Sequence, residues 1–143
     1  MKTYLMFVSL LPLVASLHSD NRNLNGYWTL VCLTEIKTQI FDCRSDDTPA
    51  IVLEFRGKGS GGTVQCFTMR NAVAGHYELP SPGKIVIMKF GNAKAAEPHK
   101  WGNDIWNSVR QSSSFKIVSD TLSLYFDHNT KIMKFVRTFG KDR

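Results

Sequence analysis

The sequence predicts a mainly β domain of the α+β kind: a small antiparallel sheet, barrel-like or curved, of about seven or eight strands, with one helix packed on it before the last three strands. Three observations carry this. Short runs rich in β-branched and aromatic residues alternate apolar with polar, as in "TLSLYF" at 121–126. Strong turn chemistry separates the runs, notably "PSPG" at 80–83 and "DHNT" at 127–130. One segment alone, 95–111, changes to a four-residue apolar repeat.

Each element follows from local residues. In "GYWTLVCL", 26–33, the two-residue period places Trp28, Leu30 and Cys32 on one face, which is assigned to the core. Residues 34–49 read as a connection, with "RSDDTP" as turn chemistry. In "IVLEF" Ile51, Leu53 and Phe55 share a face, and Val52 and Glu54 the opposite one. "RGKGSGG" reads as a long hairpin turn. It is not a phosphate loop, because Lys58 precedes the glycines and the strand "TVQCF" follows them, where such a loop needs its lysine after the glycines and a helix behind it.

Further strands fall at 75–79 and 84–90. In the helical segment Trp101, Ile105 and Val109 line one face, and Pro98 suits the first turn. Trp106 lies off the centre of that stripe, so its ring either closes the rim of the core or contacts a partner. The last strands are 115–118, 121–126 and 131–139, with Leu122, Leu124, Met133 and Phe135 inward. The expected core is therefore Trp28, Leu30, Phe55, Tyr77, Trp101, Ile105, Leu122, Leu124 and Phe135.

The first residues, "MKTYLMFVSLLPLVAS", join an early cation, Lys2, to an uncharged apolar run and small residues, the build of a cleavable secretory signal. The division expected is a signal peptide over 1–16 and a single domain over 17–143. The apolar run is shorter than the roughly 20 residues of a membrane span, so no stable membrane anchor is expected. The location implied is secreted and extracellular, or periplasmic or envelope-bound in a bacterium.

The chain carries a net charge of +6. Its cations are spread singly, which argues against nucleic acid as a partner. Three cysteines in an oxidising compartment imply one bridge and one spare thiol. Cys43, in a polar turn-like segment, is the exposed member; Cys32 with Cys43 is favoured over Cys43 with Cys66. The spare thiol is expected to be buried and inert. Four scattered histidines and the absence of C-x-x-C or H-x-x-x-H spacing argue against a metal site, and no cofactor is expected. His76 and Glu78 share a strand face but lack a convincing nucleophile, so no catalytic residue is assigned.

Taken together, Leu24, Gly26, Trp28 and Leu30 fit an L-x-G-x-W-x-L first strand. Cys66 precedes Gly75 and Tyr77, and Asp120, Leu122 and Leu124 give D-x-L-x-L before Met133 and Phe135. In this order the chain resembles the META domain family, which includes the HslJ-like heat-shock proteins. It departs from that pattern where Gln65-Cys66-Phe67 replaces G-C-N and where alanines stand in place of a second cysteine before the helix. The resemblance implies a non-enzymatic domain with a stress or host-interaction role, and the expected function is to bind a protein or surface component. A second resemblance is to the lipocalin and calycin proteins, through the same G-x-W and a late arginine, Arg137, placed to stack across Trp28. It implies a carrier of a small hydrophobic ligand. The candidate binding residues are Trp106, Tyr125 and Arg137.

Overall fold

The computed structural model describes residues 24–139. The expected signal peptide, 1–16, lies outside the described residues. Nine strands and one helix follow one another as β1 (Gly26–Glu35), β2 (Ile40–Cys43), β3 (Val52–Lys58), β4 (Gly61–Phe67), β5 (Ala72–Glu78), β6 (Val86–Met88), α1 (Lys100–Arg110), β7 (Ser114–Val118), β8 (Thr121–Phe126) and β9 (Lys131–Thr138).

All ladders between these strands are antiparallel, in the order β6-β5-β4-β3-β1-β9-β8-β7, with β2 paired to the far half of β1. The sheet curls until its ends meet: Lys84 bridges Ser114, Phe115 N–H donates to Gly83 at 2.9 Å, and Ile85 N–H donates to Ser113 at 3.2 Å. Curling satisfies backbone groups that an open edge would leave unpaired. The expected fold class, including one helix before the last three strands, is the observed one.

Inward positions fill the centre. Trp28, Leu53, Phe55, Val64, Leu122, Leu124, Met133 and Phe135 are fully buried, and every residue of the expected core is buried. Helix α1 lies near β6 and β8 and adds Trp101, Ile105, Trp106 and Val109. Phe55 and Tyr77 meet edge to face with centroids 5.4 Å apart. At one end Arg137 lies over the Trp28 ring at 4.1 Å, and its guanidinium donates to the Asn25 carbonyl at 2.8 Å. Gly26 makes room there: its φ is +123°, and a Cβ would stand 3.1 Å from the same guanidinium.

Several local expectations are corrected. Cys32 does not share the core face with Trp28 and Leu30. Leu30 pairs with Phe135 and Cys32 with Lys134, so Val31 is an extra residue, a β-bulge, and the side-chain phase reverses after it. Leu33 packs on the core instead, and Cys32 turns outward. The segment 34–49 is not simply a connection, because Ile40–Cys43 returns along β1 as β2.

The glycine-rich stretch is not a long turn either. Strands β3 and β4 run through it to a two-residue turn at Gly59-Ser60, and a Cβ on Gly62 would fall on the Arg56 carbonyl. Strand β6 keeps only Val86–Met88 of the expected 84–90. Pro98 precedes the helix rather than lying in its first turn; His99 is the N-cap, accepting from Trp101 N–H at 3.2 Å. Glu54 faces away from Leu53 as expected yet is buried, its carboxylate held by Arg56.

Candidate binding face

Beyond the bulge at Val31 the end of β1 stays paired with β9 and takes β2 as its other neighbour, closing a hairpin whose tip meets the β8–β9 turn where Ile36 N–H donates to Thr130 at 2.9 Å. A disulfide joins Cys32 and Cys43, which are register partners with Cα atoms 4.0 Å apart. The expected pairing is therefore the observed one, and the alternative through Cys66 is excluded: Cys66 is a free, buried thiol whose ionisation is pushed far up by burial and by the nearby Glu97 carboxylate.

Asp42 anchors the hairpin to the helix start. Its carboxylate accepts from the Trp101 indole N–H at 2.8 Å and from Lys100 Nζ at 2.8 Å. The Lys100 bond, with the Trp101 bond after it, holds Asp42 below the usual carboxylate range. A depressed folded-state value stabilises the fold above the unfolded value of about 3.9, and the contribution is lost as pH falls through the folded value. The Asp42 side chain is 40% exposed, so screening limits the contribution to no more than about 1 kcal/mol. The unfolding free energies of the parent and of Asp42→Asn should thus differ near neutrality and converge in acid; a gap unchanged across that range would contradict the anchoring role.

Registers across β2, β1, β9, β8 and β7 compose an outward face in three rows. Phe41, Thr34, Ile132, Tyr125 and Ser114 form the first. The disulfide, Lys134, Ser123 and Lys116 form the second. Thr29, Val136, Thr121 and Val118 form the third. Phe41 is 64% exposed and Val118 57%. No carboxylate occupies any of these positions. The acids around it are engaged by other groups: Asp42 of β2 by Lys100 and Trp101, Glu54 of β3 by Arg56, Glu35 of β1 by the Thr38 hydroxyl at 3.0 Å, Asp127 by Lys131 at 3.4 Å and Asp120 by Arg137 at 3.7 Å.

Of the three candidate binding residues, Tyr125 alone lies on this face. Trp106 is buried at 5% exposure against Phe90, so the rim-closing role is the one it plays, although its indole N–H has no partner among the described residues. Arg137 is committed to Trp28 and Asn25. Sequence reasoning missed Phe41, Lys116 and Lys134 as a group, because only the strand registers bring them together.

Two clefts lie elsewhere. One, of about 690 Å³, has Val52, Phe67 and Ala72 along it, with Arg44 and Arg70 also lining it and Asp46 and Asp47 beside them. The other, a groove over β4, β5 and β6, collects Thr63, His76, Glu78 and Lys89. His76 and Glu78 are exposed together there, as their shared strand face predicts.

No protein-family model matches the chain, and no curated protein matches it. Among solved structures, a DUF4847 family protein from Bacteroides vulgatus is similar at 12% identity and a TM-score of 0.54, over 82% of this chain and 96% of that one. The likeness shows the fold alone.

Proposed function

We infer that the chain is a secreted, non-enzymatic binding domain, META-like in kind, that engages a protein or surface component through the outward face of β2, β1, β9, β8 and β7. The observation that carries this reading is the composition of the three rows: exposed Phe41, Val118 and Val136 stand among Lys116 and Lys134 with no carboxylate between them. Cross-strand neighbours of opposite charge would be the ordinary arrangement for a solvated sheet. Apolar and cationic side chains without acids suit an acidic, partly apolar partner.

The reading is tested by retention on an immobilised polyglutamate matrix. Lys116→Gln with Lys134→Gln should elute at lower salt than Lys58→Gln with Lys89→Gln, a pair that removes the same charge elsewhere. Coincident elution of the two variants would mean net charge alone acts, and the face would lose its role.

The calycin-like reading, a carrier of a small hydrophobic ligand, draws support from Arg137 stacked on Trp28 and from β9 lying beside β1. Against an enclosed pocket stands the filling of the centre by fully buried Trp28, Phe55, Phe135 and Met133.

A further inference from the structure

Resting on the binding face just inferred, we propose that its partner is an anionic phospholipid surface, with the β1–β2 hairpin as the element that enters the headgroup layer. The hairpin is where large apolar side chains are most concentrated at the surface: Ile36, Ile40 and Phe41 are all exposed within six residues of chain. Its tip also carries the exposed Lys37. The disulfide ties the base of the hairpin, and the bonds of Asp42 to Lys100 and Trp101 hold it against the helix. The apolar residues are thus presented on a fixed support and need not be ordered on contact, which lowers the cost of binding.

The cations favour lipid over protein. Protein interfaces are enriched in arginine and depleted in lysine. The three rows carry two lysines and no arginine. Lys116 and Lys134 stand on alternate strands with Ser123 between them, so their stems are about 10 Å apart. A lysine ammonium is a compact, strongly hydrated point charge. Such charges suit a diffuse layer of phosphates better than the planar, bidentate pairing that arginine makes with a single carboxylate. Near an anionic leaflet each contributes about fivefold in affinity, and the effect fades within a screening length. The apolar tip adds a term that salt does not remove.

Cosedimentation separates the possibilities. The purified protein is expected to sediment with phosphatidylserine-rich vesicles and to stay in solution with pure phosphatidylcholine. Lys116→Gln with Lys134→Gln should weaken vesicle binding about 25-fold, against no preferential loss for Lys58→Gln with Lys89→Gln. Phe41→Ser should weaken it by about tenfold while leaving retention on polyglutamate unchanged, because insertion uses the ring and the matrix does not.

Retention on polyglutamate that depends on Lys116 and Lys134, with no sedimentation by phosphatidylserine vesicles, would overturn the lipid proposal and leave an acidic protein as the partner. Vesicle binding that Phe41→Ser does not alter would overturn the role of the hairpin. If the two double variants match each other on matrix and vesicles alike, the face itself is wrong and the proposal falls with it.

Discussion

Trp28→Ala should lower the unfolding free energy by about 3–5 kcal/mol, the range for removing a large aromatic from a close-packed interior. Three contributions place it near the upper part of that range. The ring is completely buried, so its removal leaves a void that the surrounding strands can only partly close. Its indole N–H donates to the Leu24 carbonyl at 2.8 Å in a buried setting, and truncation strands that acceptor. Arg137 would lose the ring under its guanidinium, a contact of about 0.5–2 kcal/mol. Denaturant unfolding measures the difference. A loss below about 1 kcal/mol would mean that the ring lines space rather than filling it, the behaviour of a residue in a ligand cavity and not of a core plug.

The second large effect belongs to the disulfide. Replacing Cys32 and Cys43 together by serine opens a loop that spans a sequence separation of 11. Loop-closure entropy for a loop of that length is about 3 kcal/mol, which is the expected loss of stability. The same variant should show earlier amide exchange in β2 than in β3 or β9, because β2 pairs only with β1 and has no second neighbour in the strand order. Uniform exchange across these strands would show that the hairpin is held by its packing alone. In a single Cys32→Ser variant, Cys66 should not take over the bridge to Cys43, since it is buried in the core and its thiol strongly resists ionisation.

The regular parts of this architecture were legible because they obey one period without interruption. Leu122, Leu124 and Phe126 alternate strictly with Thr121, Ser123 and Tyr125, and β8 lies where that alternation begins and ends. Trp101, Ile105 and Val109 mark the helix face for the same reason, and the two-residue period puts Trp28 and Leu30 in the core where they lie.

What failed were features that depend on departures from the period. "LVCLT" is apolar nearly throughout, so nothing in it reveals that Val31 is the extra residue and that Cys32 points the other way. "IFDC" is too short to show alternation and runs directly into the turn chemistry of "RSDDTP", which hid β2. The glycines at 57, 61 and 62 looked like loop residues, although close approach between neighbouring strands is what excludes a side chain there. The binding face was illegible for a different reason. Phe41, Tyr125, Lys134 and Lys116 are far apart along the chain, and their adjacency exists only once the pairing of five strands is known.

The bulge at Val31 has a consequence for how the chain can change. On its near side, β1 sends Trp28 and Leu30 into a space where every methylene is felt. On its far side, the same strand sends Cys32 and Thr34 to the exterior, beside residues of β2 and β9. One inserted residue thus shifts which positions of a single continuous strand reach the interior, Trp28 and Leu30 before it and Leu33 after it, and the large exposed side chains begin only at Ile36. The hairpin can be lengthened, recharged or given a new tip while the interior stays as it is, which makes it the part of the molecule where a new recognition property is most cheaply acquired.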